Sequence, residues 1–141
     1  DMLDRHTTSS DIMAITMVAA RPMVLVVEDE PLIREVLEKW LERGGWQVCS
    51  TGTAEGALEL QERYNPGIVL CDVSLEGRDN GRDLAVKLVA RNPQLAVIFA
   101  TGGPSFDAPP TGMVGCLVKP YSHQQFKEQL SAAMQHIAMA N

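Results

Sequence analysis

The sequence predicts an α/β fold in which a parallel β-sheet carries helices on both of its faces. Short apolar runs rich in β-branched residues alternate along the chain with longer segments whose apolar residues repeat at helical spacing. The apolar runs are continuous, as is typical of strands that are covered on both faces. The chain has 141 residues, of which 45% are hydrophobic and 21% charged, and this composition fits one globular domain with a sizeable core.

The predicted strands and helices follow one another from Met23 onward. The five strands cover residues 23–27, 46–50, 68–72, 95–101 and 114–118. Helices are predicted after the first, second, third and fifth strands. The first helix starts at Pro31, which suits a first helical turn, and stops at Gly44 and Gly45. Thr53 and Ser122 are predicted to cap the second and the last helix.

Each predicted helix has an apolar stripe that would face the sheet. On the first helix the stripe contains Ile33, Val36, Leu37, Trp40 and Leu41. On the second helix it contains Ala54, Ala57, Leu58 and Gln61. On the third helix it contains Leu84, Ala85, Leu88 and Val89. On the last helix it contains Phe126, Leu130, Ala133, Met134 and Ile137.

The connection between the fourth and fifth strands is predicted to lack a full helix. Residues 102–113, "GGPSFDAPPTGM", contain three prolines and three glycines. An interior proline costs a helix about 3 kcal/mol and a glycine about 1 kcal/mol. We therefore expect a loop with at most one helical turn, so that a helix at this place is reduced or absent.

Composition also bears on partners and location. The net charge of −6 argues against a nucleic-acid surface, which usually needs a basic patch, so we expect no DNA binding by this chain. Cys49, Cys71 and Cys116 have no CxxC spacing, and they predict reduced thiols in a cytoplasmic protein. No apolar run is long enough to span a membrane. Residues 1–22 are interpreted as an N-terminal extension of unknown role, and residues 23–141 as the domain.

Polar residues gather at the ends of the predicted strands. Glu28 and Asp29 follow the first strand, Asp72 ends the third, Thr101 ends the fourth and Lys119 follows the fifth. In a parallel sheet with right-handed crossovers, all these ends lie along one edge, and ligands bind there. Taken singly, an acidic turn can simply favour a helix N-terminus, and a threonine or a lysine at a strand end is usually structural. Their joint occurrence predicts a site.

The chemistry of these residues suits phosphoryl transfer. Carboxylates that converge repel one another and raise each other's pKa unless cations intervene. Lys119 and a divalent metal are the available cations, and carboxylate oxygens suit Mg²⁺. A lysine and a metal beside Asp72 would offset charge on a phosphoryl group, and the carboxylate can serve as the nucleophile. The hydroxyl of Thr101 would donate to a phosphoryl oxygen.

The motifs "LVVEDE", "VLCD", "FATGG" and "LVKP" occur in an order and at a spacing that resemble a known family. The sequence resembles the receiver domain of two-component response regulators over residues 23 to about 139. The resemblance implies a flavodoxin-like or CheY-like doubly wound fold with a five-stranded parallel sheet in the order 2-1-3-4-5. It also implies a phospho-accepting role, with a histidine kinase and a downstream protein target as partners.

The resemblance further implies a role for each residue of the strand ends. Asp72 would be the phosphoacceptor. Asp29 would be a direct Mg²⁺ ligand, Glu28 would act largely through water, and the backbone carbonyl of Ser74 would be a further ligand beside Asp72. Thr101 would be the switch hydroxyl.

On the same basis Lys119 would pair with a phosphoryl oxygen, and the Lys119–Pro120 peptide bond would be cis. Three features depart from typical receivers. Cys116 stands at the switch position that usually holds an aromatic residue, Glu76 replaces the proline of the loop after Asp72, and the helix after "FATGG" is eroded.

These departures resemble an alphaproteobacterial group of receivers named for the FATGUY motif, although Pro104 replaces the final tyrosine of that motif. The likeness implies a single-domain receiver, a general stress response and a kinase of the HWE class. Two alternatives stay open: a receiver excised from a hybrid kinase or a longer regulator, and a pseudo-receiver that only docks partners. We expect no enzyme beyond a receiver that catalyses its own phosphorylation and dephosphorylation.

Overall fold

The computed structural model describes residues 21–75, 81–103 and 113–140. Its sheet has five parallel strands in the order β2-β1-β3-β4-β5. The strands are β1 (Val24–Val27), β2 (Val48–Thr51), β3 (Ile68–Asp72), β4 (Ala96–Thr101) and β5 (Met113–Val118). The helices of the described residues are α1 (Pro31–Arg43), α2 (Ala54–Tyr64), α3 (Gly81–Arg91) and α4 (His123–Ala140). The predicted fold class and strand order are confirmed.

Local sequence signals account for most helix boundaries. The hydroxyl of Thr53 accepts a hydrogen bond from the Gly56 N–H at 3.0 Å, which satisfies a free donor at the start of α2. Ser122 and Gln125 bond reciprocally at the start of α4, each side chain accepting from the other residue's backbone N–H. α2 ends at Asn65, whose φ of 46° lies in the left-handed region. Both predicted caps are confirmed.

Alternate residues of the strands pack into two cores, one on each face of the sheet. In β1, Val24 and Val26 face the core that α1 and α4 cover, whereas Leu25 and Val27 face the core that α2 and α3 cover. Because successive side chains of a strand point to opposite faces, both faces of each central strand must be apolar. The doubly covered sheet leaves its strand ends as the place where charged groups can meet.

The buried stripe of α1 is narrower than predicted. Leu37 and Leu41 are buried, and Ile33 and Trp40 pack against the core at its margin, but Val36 is 45% exposed. Val36 belongs to the apolar repeat of the helix but lies outside its buried part. Val36 directly precedes Leu37, and neighbouring residues on a helix point about 100° apart, so with Leu37 and Leu41 turned toward the sheet Val36 lies at the margin of the stripe.

Some predictions fall outside the described residues. These predictions concern residues 1–20, Glu76 in the loop after β3, and residues 104–112, which make up most of the segment predicted to lack a helix. Arg21 and Pro22 are described, and Arg21 lies 4.5 Å above the Trp46 ring and donates to the Gly44 carbonyl at 2.7 Å. Across the described ranges, every helix is too short or too polar to traverse a bilayer.

Candidate functional site

The pairing of β1 with β3 places two carboxylates side by side. Val27 pairs with Cys71 in the parallel register, so Glu28 and Asp72, the next residue of each chain segment, leave the sheet together. Both are buried, with 2% and 6% of their surface exposed. One ligand oxygen each of Glu28, Asp29 and Asp72 lie within 4.8 Å of one another. The structure therefore brings together the acidic residues that the sequence singled out.

Lys119, directly after β5, supplies the opposite charge at the same edge of the sheet. Its Nζ atom lies 2.9 Å from Oδ2 of Asp72 and 3.5 Å from Oε2 of Glu28. The backbone N–H of Lys119 donates to the carbonyl of Thr101 at 2.7 Å, which ties the end of β5 to the end of β4. The Lys119–Pro120 peptide bond is cis. The ammonium group thus contacts both buried carboxylates at once.

Hydrogen bonds from backbone N–H groups hold the two buried carboxylates in place. Oε1 of Glu28 accepts from the Glu30 N–H at 3.2 Å, and Oδ1 of Asp72 accepts from the Ser74 N–H at 3.0 Å. The start of α3 packs directly on the end of β3, and a Cβ atom at Gly81 would overlap the backbone carbonyl of Asp72. Glycine is therefore required where α3 closes on the phosphoacceptor candidate.

The electrostatic balance of the site favours the addition of a cation. Burial and the neighbouring charge of Asp72 raise the pKa of Glu28 from its ordinary value of 4.5 to about 7, although Lys119 and the Glu30 N–H oppose the rise. Burial would lower the pKa of Lys119, but the hydrogen bond and charge of Asp72 and the charge of Glu28 raise it overall, so the amine stays protonated. One ammonium group does not neutralise three clustered carboxylates.

The donor set of this cluster fits Mg²⁺. The oxygens of Glu28, Asp29 and Asp72 are hard ligands at mutual distances that one ion can bridge. Mg²⁺ takes one or two carboxylates and keeps waters for the remaining positions, so it does not need a closed cage of protein ligands. Burial and the charge of Asp72 raise the pKa of Glu28, which indicates that the protein alone stabilises the ionised carboxylate poorly.

The remaining predicted residues lie at the end of β4, after β3 and in β5. Thr101 ends β4, is half-buried, and accepts a hydrogen bond at Oγ1 from the Gly103 N–H at 3.1 Å. Ser74 follows β3 by two residues, with its N–H directed at Asp72. Cys116 pairs with Phe99 across β4 and β5 and is half-buried against the core under α2 and α3. The roles given to Thr101, Ser74 and Cys116 stay predictions.

The cysteines carry free thiols. Burial raises the pKa of Cys49 to about 11, that of Cys71 to about 12, and that of Cys116 above its usual range. A thiol with a raised pKa is a poor nucleophile at neutral pH. The three cysteines are therefore free, unactivated thiols, in agreement with the reduced thiols that the absence of CxxC spacing predicts.

Sequence reasoning missed two residues that border the site. Arg34, in the first turn of α1, donates from Nη1 to the backbone carbonyl of Glu28 at 2.8 Å. Tyr121 is half-buried near the carboxylates: burial raises its pKa to about 12, Lys119 opposes this rise, and the charges of Glu28 and Asp72 add to it. An arginine one turn into the helix after an acidic strand end is a signal that the sequence does contain.

Comparison with known proteins places this site in a family. The model of the response regulator receiver domain matches residues 24–131, a span that includes every residue of the site. The chain belongs to this family. It is therefore a receiver domain of the kind that two-component signalling systems use.

Individual relatives agree with this assignment. The chain is 38% identical over 115 residues to the positive alginate biosynthesis regulatory protein of Pseudomonas aeruginosa, a match that covers 78% of this chain and 46% of that protein. The chain spans about half the length of the curated relatives it matches.

Solved structures share the architecture of this receiver. A CheY-like receiver domain protein from Methanospirillum hungatei superposes with a TM-score of 0.78 at 21% identity, covering 86% of this chain and all of that one. The receiver domain of the Erythrobacter litoralis PhyR response regulator superposes with a TM-score of 0.73 at 27% identity, covering 83% and 92% of the two chains.

Proposed function

We propose that this receiver accepts one phosphoryl group on Asp72 from a histidine kinase. The observation that carries the proposal is the position of the Asp72 carboxylate, which is buried between the Lys119 ammonium at 2.9 Å and the acidic residues that follow β1. A carboxylate in such a place needs a cationic partner and can attack phosphorus once its charge is offset.

Mg²⁺ is the proposed cofactor. Glu28, Asp29 and Asp72 would hold it, together with the backbone carbonyl of Ser74. When bound, the ion would offset negative charge on the transferring phosphoryl oxygens. The proposal agrees with the hard-oxygen donor set and with the surplus of negative charge at this edge of the sheet.

The residues of the chain then have distinct tasks in the transfer. An Asp72 carboxylate oxygen forms a bond to phosphorus while the phosphorus–nitrogen bond of the donor histidine breaks, and the imidazole leaves with the bonding electron pair. Lys119, which contacts Asp72 before the reaction, would pair with a phosphoryl oxygen of the acyl phosphate. The hydroxyl of Thr101, at the end of the neighbouring strand, would donate to another of these oxygens.

The finer assignment concerns the signalling context. We propose a single-domain receiver of the FATGUY group that acts on a downstream protein target, with a kinase of the HWE class as the donor. The motif "FATGG" and the likeness to the PhyR receiver support this proposal. The change on phosphorylation would control protein contacts and not DNA binding, in a protein of the cytoplasm that turns over no separate substrate.

The direct test is phosphorylation by a small donor. The full chain is incubated with acetyl phosphate and Mg²⁺, and intact mass spectrometry is expected to detect a single phosphoryl adduct. Asp72→Asn should abolish the adduct, because the amide cannot form the acyl phosphate. Asp83→Asn, which removes an exposed aspartate from α3, is the matched control and should be phosphorylated like the wild type.

An unmodified wild-type chain under these conditions would contradict the proposal. A chain that binds a partner equally well with and without the donor, and equally well as Asp72→Asn, would favour the pseudo-receiver that only docks partners. Turnover of a phosphate ester would instead indicate an enzyme.

A further inference from the structure

Arg34 contacts both ends of the turn after β1, which carries Glu28 and Asp29. Its guanidinium donates from Nη1 to the backbone carbonyl of Glu28 at 2.8 Å, and its backbone N–H makes the regular helical hydrogen bond of the first turn, to the carbonyl of Glu30 at 2.9 Å. Asp29 lies between these two anchor points. One residue of α1 therefore contacts the backbone on either side of the candidate metal ligand.

Gly52 provides the space in which the guanidinium lies. A Cβ atom at Gly52 would stand 2.9 Å from Nη1 of Arg34 and 3.6 Å from both the Cα atom of Asp29 and the carbonyl oxygen of Glu28. The turn after β2 is also tied to the acidic turn, because the Glu28 N–H donates to the carbonyl of Thr51 at 3.0 Å. A side chain at position 52 would compete with the guanidinium for one place.

The acidic turn needs such an anchor for two reasons. Repulsion among the clustered carboxylates pushes the turn apart. In addition, Glu30 at the N-cap of α1 makes no side-chain capping bond to the first turn of the helix. Arg34 binds a carbonyl, so it can hold the backbone without occupying a carboxylate oxygen that a cation would need.

We infer that Arg34 is a positioning residue for the acidic pair Glu28 and Asp29, and that Gly52 is the residue that admits its guanidinium. The inference rests on the proposed function, since it assigns these residues to the Mg²⁺ site. Arg34 differs in its task from Lys119, which contacts the carboxylate oxygens directly. Removing a group that contacts the metal ligands but not the metal typically weakens metal affinity by about 10–100-fold.

The test measures Mg²⁺ affinity by isothermal titration calorimetry on the unphosphorylated full chain. Arg34→Met and Gly52→Ala are each expected to weaken Mg²⁺ binding by about tenfold. The double variant should be no weaker than Arg34→Met alone, because both changes remove the same hydrogen bond. Arg34→Lys, which keeps a donor, should recover part of the affinity. Arg43→Met removes the same charge from the exposed end of α1 and should bind Mg²⁺ like the wild type.

A second measurement needs no metal. Amide hydrogen exchange at Glu30 should be faster in metal-free Arg34→Met than in the wild type, while exchange at Val97 in the buried strand β4 should stay unchanged. Wild-type Mg²⁺ affinity in Arg34→Met, additive losses in the double variant, or unchanged exchange at Glu30 would each overturn the inference. Should the wild type itself bind no Mg²⁺, the proposed cofactor fails, and exchange at Glu30 alone decides whether Arg34 positions the turn.

Discussion

Among the described residues, polar side chains are buried at two places, and the side chains at these places differ in charge. At the sheet edge, Glu28 and Asp72 are charged groups that repel each other and share one lysine. Between α2 and α3, Gln61 is 5% exposed and neutral, and its Nε2 donates to the Leu88 carbonyl at 2.8 Å. Its Oε1 atom is buried without a hydrogen-bond partner in the described part of the chain.

The difference separates a site that responds to ligands from a structural contact. Repulsion among the carboxylates raises the free energy of the cluster when no metal ion is bound. Protons, Mg²⁺ or a phosphoryl group can therefore change its charge and its stability. The Gln61 contact carries no charge and lies at the opposite end of the helices from Asp72, so none of these ligands acts on it. We expect substitutions at the two places to differ in their dependence on pH and metal.

The largest effect is expected for Glu28→Gln in metal-free protein. The pKa of Glu28 is about 7 in the folded chain, above its ordinary value of 4.5, so the folded state holds an extra proton between these values. Its contribution to stability is complete below pH 4.5 and is lost as the pH rises through 7. The variant should therefore gain about 3 kcal/mol over the wild type at pH 8 and nothing at pH 4, as measured by urea unfolding in EDTA.

Glu59→Gln is the control for this comparison, because it removes an exposed carboxylate from α2. Its stability should follow that of the wild type across the pH range. Saturating Mg²⁺ should reduce the advantage of Glu28→Gln at pH 8, because the ion neutralises the same charge. Equal pH profiles for the wild type and Glu28→Gln would show that Glu28 ionises normally and would remove the contrast with Gln61.

A smaller effect of opposite sign is expected for Lys119→Met. The substitution leaves Asp72 and Glu28 without the ammonium group that contacts both, and loss of one partner of a buried pair is strongly destabilising. Because 26% of the Lys119 side chain is exposed, we expect a loss of about 2 kcal/mol at pH 7 in metal-free protein. Thermal unfolding with and without EDTA would measure it.

Lys39→Met provides the matched control on α1. Its ion pair with Glu35 is short, at 3.1 Å, but both side chains are more than half exposed, so its loss should cost less than about 0.5 kcal/mol. If the two lysine variants lost the same stability, the cluster at the sheet edge would be no more than a surface ion pair.

Much of this arrangement follows from periodicity and strand ends. Continuous apolar runs predict the covered strands, and the ends of those runs identify Asp72, Asp29 and Lys119 from the sequence alone. This works because parallel strands force their carboxyl ends to one edge, whatever the details of packing. The capping residues Thr53 and Ser122 were predictable for a similar reason, since each bonds within three residues of itself.

The features that were missed depend on packing between distant segments. Arg34 reaches its place because Gly52, which belongs to a different strand-to-helix turn, leaves room beside Glu28. The exposure of Val36 depends on how α1 rotates against the sheet, and an apolar stripe limits that rotation only loosely. Gln61 was correctly placed on the inner side of α2, but the spacing could not name Leu88 as its partner.

The smallest effect is expected for Gln61→Met. The change deletes the hydrogen bond to the Leu88 carbonyl, but that oxygen keeps the bond it accepts from the Asn92 N–H at 3.0 Å. It also deletes the buried Oε1 atom, whose lack of a partner costs free energy, and the methionine side chain has a similar length. The two terms oppose each other, so urea unfolding should differ from the wild type by less than about 0.5 kcal/mol at pH 4 and at pH 8, with and without Mg²⁺. A loss of about 2 kcal/mol would mean that Oε1 has a partner such as a bound water, and a loss that depends on pH would mean that the helix contact and the carboxylate cluster are coupled.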